Sequence, residues 1–332
     1  MVLLFWHRNN ALIANIRQNR NNGHMKINSV LIAGAGAIGL SVAETLFRYD
    51  PGCVSILAKG ERLERYRKNG LRVNGEKLDF RFSRGEIADL IIVACKFHHL
   101  DRIIEDIRPS VGNDTIILSL LNGISSEDII GARLGRERLP LAMVIGVDAF
   151  HKDEETTYKL KGVIHFGDAG GSNGEREERI AELFTRAGVV HKLETNMRRS
   201  LWFKYMVNIG MNPVTAVLRL PYRAIQTRGT PGEIPEAHLL FVNAMREVIA
   251  VANAEGIDLN EGDIENFHTT LNNLNPDGFT SMCQDVLAGR KTELEMFSFA
   301  LMEMAQKHGI SVPVNETLHL QLRTIEGYQR YA

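Results

Sequence analysis

The sequence predicts an α/β unit built on a parallel sheet, followed by an all-helical unit. Three observations carry that reading. From Lys26 the first half alternates short apolar runs with helix-period patterns, the rhythm of β-α-β units. After Asn196 helical runs succeed one another with no convincing strand among them. At roughly 150 residues per domain, 332 residues provide for two buried cores.

Taken in order, Val30 to Ala33 reads as the first strand, and Leu40, Ala43, Leu46 and Phe47 then recur at helical spacing. Cys53 to Ala58 is a second β-rich run. Leu90 to Ala94, Thr115 to Leu120, Leu141 to Phe150, Lys159 to Phe166 and Val189 to Leu193 read as further strands, with Glu175 to Ala187 a helix. The later helical runs cover 198–211, 236–255, 261–274, 281–288 and 292–308. Gln226 to Pro235, with two prolines and two glycines, reads as a loop inside the helical part. The boundary falls near 195, giving domains over 25–195 and 196–332. Residues 1–24 open on an apolar stub, MVLLFW, before Arg8, Arg17 and Arg20, the reverse of a secretory signal's order. They lack the serines of a transit peptide and read as a disordered extension, with Met25 opening the folded unit.

Composition excludes several classes. With 39 basic and 40 acidic residues the net charge is -1, which leaves no field for nucleic acid. The longest uncharged run, Ile27 to Ala43, is shorter than the roughly 20 apolar residues that cross a bilayer. Cys53, Cys95 and Cys283 are an odd, widely spaced set that fits neither a disulfide framework nor a zinc site. They read as reduced cytosolic thiols, and no metal centre is expected.

Between the first strand and first helix stands Gly34-Ala35-Gly36-Ala37-Ile38-Gly39. In such a G-x-G-x-x-G turn the first glycine permits the bend, the second admits a pyrophosphate to the backbone, and the third allows close helix packing. The helix N-terminus then attracts the phosphates. Strand before and helix after are the context that makes the motif informative, so the first half reads as a Rossmann-type dinucleotide-binding domain. At the end of the second strand, where NAD-binding chains place an acid on the ribose, stand Lys59 and Arg62. Cations there suit a 2′-phosphate and favour NADP; Glu61 argues the other way, and all three also suit a solvated loop.

The most informative stretch runs from Ser200 to Pro213. Ser200, Lys204, Asn208 and Asn212 recur at steps of four and line one face of an otherwise apolar helix. A solvated face would carry Glu and Lys, whereas this one has one charge and two asparagines, which are poor helix formers. An ammonium desolvated on that face would lose basicity towards the working pH, as a general acid requires. Glu293, in Lys291-Thr292-Glu293, opens the helical run 292–308, where the helix dipole alone would favour an acid. Ser281 begins Ser-Met-Cys-Gln284, a capping pattern that serves equally as an N-cap. Lys96 and Asn122-Gly123 end two strands at the sheet edge where ligands bind, which is also ordinary turn chemistry. His98 and His99 lack a third ligand and read as solvated.

In this order, the glycine loop, Lys96, Asn122, Lys204-x-x-x-Asn208-x-x-x-Asn212-Pro213, Ser281 and Lys291-Thr292-Glu293 resemble the ketopantoate reductases (2-dehydropantoate 2-reductases). The resemblance runs from about Met25 to the C-terminus and is most specific in LWFKYMVNIGMNPVTAV and in the segment from Phe279 to Leu318. It implies NADPH-dependent reduction of a small 2-oxo acid, ketopantoate, to pantoate, towards coenzyme A. It also implies Lys204 as proton donor and Glu293 as its orienting partner. Asn208, Asn212 and Ser281 would bind substrate, and Lys96 and Asn122 would lie between cofactor and substrate. The Lys-x-x-x-Asn pair recurs among 3-hydroxyacid dehydrogenases, so a related dehydrogenase with another substrate is the alternative. An apolar surface on the helical half is compatible with a homodimer, though no heptad seam marks one.

Overall fold

The computed structural model describes residues 26–329. The expectation for residues 1–24 and for Met25 lies outside the described residues.

Five parallel strands form the first sheet: β1 (Val30–Ala33), β2 (Val54–Ile56), β5 (Arg81–Phe82), β6 (Leu90–Val93) and β7 (Ile116–Ser119), in the order β5-β2-β1-β6-β7. β1, β6 and β7 are buried at every position. Parallel strands are covered on both faces, which is why they appear in sequence as unbroken apolar runs. Alternate side chains serve two cores. Val30 and Ile32 join Leu40 and Leu46 of α1 (Ala37–Tyr49) on one face. Leu31 and Ala33 face Ile103, Ile104 and Ile107 of α3 (Leu100–Ile107) and Ile130 of α4 (Ser126–Leu134) on the other.

The parallel sheet expected from the sequence is present, and the strands after residue 140 form a second sheet beside it. β8 (Leu141–Lys152) and β9 (Glu155–Gly167) form an antiparallel hairpin in a second sheet. Only Asp153 and Glu154 join them, and a two-residue turn cannot make the crossover that parallel pairing needs. Asp153 takes the left-handed conformation at φ 55°, as such turns demand. β9 pairs in parallel with β10 (His191–Leu193) and with β3 (Leu71–Val73), and β3 pairs with β4 (Glu76–Leu78). Phe166 of β9 packs edge-on against Phe184 of α5 (Glu175–Ala187), tying this sheet to the first core.

The remaining elements are helices around one further core: α6 (Met197–Leu218), α7 (Pro235–Ala254), α8 (Glu261–Asn273), α9 (Ser281–Leu287), α10 (Ala300–His308) and α11 (Pro313–Gln329). Tyr205, Ile209, Phe241, Met245, Phe297 and Leu322 are at its centre. α6 is the central helix and approaches α7 so closely at Gly210 that a Cβ there would sit 2.6 Å from Met245 Cγ. It also runs through Pro213, beyond the residue 211 limit expected from sequence. The turn is held by side chains: Thr215 Oγ1 donates to the Met211 carbonyl at 2.8 Å, and Asn212 Nδ2 to that of Asn208 at 3.3 Å. The helical run 292–308 also differs. It opens as a π-turn, Glu295–Phe299, before α10 begins, so Glu293 precedes the helix instead of occupying its first turn.

Candidate active site

The glycine loop leaves the carboxyl end of β1. Gly34, at φ 125°, lies so close to the next strand that a Cβ would be 2.5 Å from the Ala94 carbonyl oxygen. A Cβ on Gly39 would overlap the Gly34 carbonyl. Gly36 is different: a Cβ there meets nothing within 4 Å. It is also the N-cap of α1, with no side-chain cap and no acid in the first turn. The first amides of α1 lack intrahelical acceptors, and such donors beside an open glycine are what an anion needs. Gly39→Ala should destabilise the fold by about 1–3 kcal/mol through backbone overlap, measured as a lower unfolding midpoint.

Close packing behind Gly34 brings in the next strand end, where Cys95, Lys96 and Phe97 follow β6. Burial pushes the Cys95 thiol up to about 12, so it is no nucleophile. Lys96 Nζ lies 3.3 Å from Asp285 and 3.6 Å from Glu293, and the Phe97 amide donates to Glu293 Oε1 at 3.4 Å. Asp285, buried on α9, is also paired with Arg290 at 2.8 Å. The third strand end supplies Asn122. Gly123, at φ 85°, must be glycine, because a Cβ would overlap Met296 of the π-turn. That approach sets the Asn122 turn against the segment carrying Glu293.

α6 completes the group. Lys204 Nζ donates to Asn122 Oδ1 at 2.9 Å. Burial lowers its pKa to about 8, an effect opposed by the charges of Glu293 and Glu127. Next to Lys204 on the helix, Tyr205 is fully buried and donates its hydroxyl to the Phe297 carbonyl at 2.6 Å. One turn of α6 thus positions the ammonium and also braces the π-turn beside Glu293. Glu127, buried at the start of α4, accepts from Ser126 Oγ at 2.7 Å and the Ala142 amide at 3.2 Å. Desolvation pushes its carboxyl above the usual range.

The other residues singled out in the sequence fall into three groups. Asn208 is half-buried on the Lys204 face. Asn212 is buried, and its oxygen accepts from Ser281 Oγ and the Met282 amide, both at 3.3 Å. It therefore ties α6 to α9 and leaves the exposed Ser281 hydroxyl beside it. The N-cap of α9 is Thr280, whose oxygen accepts from the Cys283 amide, and not Ser281. Lys59 and Arg62 stand apart, lining a cavity of about 390 Å³ with Arg65, His99, Arg102 and Asp106. Lys59 is half exposed and pairs with Asp106 at 3.0 Å. Such a pair contributes about 0–1 kcal/mol, so an arriving anion could replace the carboxylate at little cost. His98 and His99 are exposed, and among the described residues no group of three potential ligands could hold a metal ion. Nor is any described helix long and apolar enough to cross a membrane.

Sequence reasoning missed Glu127 and Asp285. Glu127 stands five positions after Asn122 in a helix start where acids are common, and Asp285 meets Lys96 only through a sequence separation of 189. Neither carries a local signal.

A parallel-sheet domain with a glycine turn, joined to a helical domain that presents a desolvated lysine, defines the class of Rossmann-type oxidoreductases with helical C-terminal domains. Residues 30–171 match the model of the ketopantoate reductase PanE/ApbA family, and residues 196–326 match that of its C-terminal domain. The chain belongs to the ketopantoate reductase PanE/ApbA family. It is 26% identical over 297 residues to a 2-dehydropantoate 2-reductase of Lactococcus lactis subsp. lactis, covering 86% of this chain and 93% of the relative. It is 27% identical over 312 residues to an uncharacterized oxidoreductase, YkpB, of Bacillus subtilis, covering 89% and 98%. Among solved structures, D-mandelate dehydrogenase with NADH and anilino(oxo)acetate shares the fold with a TM-score of 0.80 at 22% identity, over 91% of this chain and 99% of that one.

Proposed function

We propose that the protein is a cytoplasmic enzyme that reduces 2-dehydropantoate to pantoate with NADPH. Residues 25–195 form the cofactor domain and residues 196–332 the catalytic, substrate-binding domain. The observation that carries this reading is the Lys204 ammonium, desolvated, hydrogen-bonded to Asn122 and within the field of Glu293. The open approach at Gly36 fits a dinucleotide: Gly34 to Gly39 and the first amides of α1 would hold its phosphates, with Lys59 and Arg62 at a 2′-phosphate. When bound, that group supplies the hydride.

The chain's own residues do the rest. Lys204 holds a proton at Nζ and gives it to the substrate carbonyl oxygen as negative charge develops there. General acid catalysis of this kind contributes about 10²–10⁴-fold. Asn122 fixes the direction of that ammonium, and Glu293 keeps it charged. Lys96 attracts the substrate carboxylate. Asn208 and Ser281 bind substrate oxygens, while Asn212 sets the Ser281 hydroxyl.

Two variants test the cofactor assignment. Gly36→Ala should fold, its Cβ meeting nothing and its unfolding midpoint falling only slightly through loss of an N-cap glycine, yet weaken NADPH binding measured by titration of nicotinamide fluorescence. The double variant Lys59→Ala, Arg62→Ala should raise KM for NADPH more than for NADH; equal effects would remove the NADP assignment.

The whole reading is tested by following NADPH oxidation against a panel of 2-oxo and 3-oxo acids. We expect 2-dehydropantoate to give the highest kcat/KM. A better panel member would reassign the chain to a related NADP-dependent 2-oxoacid or hydroxyacid dehydrogenase. Cofactor binding with no turnover on any member would make it a sensor.

A further inference from the structure

We propose that Glu326, on the last helix, is a positioning residue: its carboxylate clamps Thr292 and thereby sets where Glu293 points. This rests on the reading of Lys204 and Glu293 given above. Glu293 lies between α9 and the π-turn, where no helix ladder orders the backbone. Its neighbour Thr292 is completely buried, and both Thr292 donors go to one atom. The amide reaches Glu326 Oε1 at 2.8 Å and the hydroxyl reaches it at 2.6 Å. One peptide bond separates that clamp from Glu293.

The partner is costly to keep. Glu326 is 5% exposed, and its other oxygen, Oε2, is buried with no hydrogen-bond partner. An orphaned buried carboxylate oxygen opposes folding, so stability alone does not explain its presence. What the charge provides is a double acceptor stronger than an amide, since charge-assisted hydrogen bonds are about twice as strong as neutral ones. α11 is itself fixed, by Leu318 and Leu322 in the helical core and by Gln329, which donates to the Val286 carbonyl at 2.8 Å. The clamp thus transmits a rigid helix position to a segment that lacks order of its own. The contacts at stake are the Phe97 amide, 3.4 Å from Glu293 Oε1, and Lys96, 3.6 Å from Oε2. Both are long enough that a small displacement would break them.

The charged and titratable groups around these atoms are Glu293 and Glu127 facing Lys204, Lys96 facing Glu293, Asp285 facing Lys96, and His319 on α11, which burial holds below the usual imidazole range in the field of Arg323, Glu295 and Glu326. The test compares Glu326→Ala, Glu326→Gln and Thr292→Val with Glu293→Gln in the full-length enzyme. Each variant's kcat per folded molecule, KM and pH profile are recorded with NADPH and the best 2-oxo acid. Glu326→Ala should lower kcat by about tenfold or more, with KM moving less, as expected of a misplaced group. It should also move the alkaline fall in kcat to lower pH, because Lys204 loses part of its counter-charge. Glu326→Gln keeps a weaker acceptor oxygen and should recover part of kcat, above Glu326→Ala and below the parent. Thr292→Val loses one of the two donors and should fall between them, so the proposal stays testable if Glu326→Ala does not fold. A lower unfolding midpoint in all Glu326 and Thr292 variants, with wild-type kcat and an unmoved pH profile, would overturn the proposal. If Glu293→Gln shifts the profile and neither Glu326→Ala nor Thr292→Val does, Glu326 alone is misassigned. If Glu293→Gln itself shifts nothing, the reading of the site fails and this proposal with it.

Discussion

Lys204→Ala is expected to lower kcat by about 10²–10⁴-fold while the protein folds normally. The two halves of that expectation come from the same fact. Burial lowers the ammonium to about 8 against the field of Glu293 and Glu127, so the surroundings disfavour the charged form. Removing the charge therefore relieves a cost of folding, and the unfolding midpoint should stay level or rise. In the proposed mechanism, catalysis loses its proton donor at the point where charge develops on the substrate oxygen. Steady-state NADPH oxidation combined with thermal unfolding checks both. Near-normal turnover would remove Lys204 from the reaction.

Glu293→Gln should give the second largest loss, about 10²-fold in kcat. Its carboxylate accepts from the Phe97 amide and faces Lys96, so the amide variant keeps the shape and loses the charge. The sign of the pH effect follows. Glu293 raises the Lys204 pKa, so its neutralisation lets that pKa fall below about 8. Lys204 then loses its proton at lower pH, and the alkaline fall in kcat should begin earlier than in the parent enzyme. A profile that stays in place would show that the two residues act independently.

Much of this architecture was legible in the amino-acid order, for identifiable reasons. β1, β6 and β7 are covered on both faces and so read as unbroken apolar runs, and the glycine turn sits between strand and helix as its chemistry requires. The stripe Ser200, Lys204, Asn208 and Asn212 showed because polar residues contrast with an apolar helix. What did not show lacks such contrast. Short β3, β4 and β5 carry Arg72, Glu76, Lys77 and Arg81 in two- and three-residue strands, too brief for any period. α2 (Gly60–Asn69) buries only Tyr66. The charged tip of the β8-β9 hairpin, Lys152 to Glu155, hid how far both strands extend. The π-turn breaks the helical period just after Glu293. Within the site, Asp285, Glu127 and Glu326 escaped because each gains its meaning from a partner on another element.

The most direct measurement is the pH dependence of kcat of the parent enzyme with the proposed substrate, 2-dehydropantoate, at saturating NADPH, the proposed cofactor. A proton donor held at about 8 predicts a plateau at neutral pH and a fall as the pH rises through that value. A rate that stays flat or climbs across that range would contradict the assignment of Lys204 as the acid.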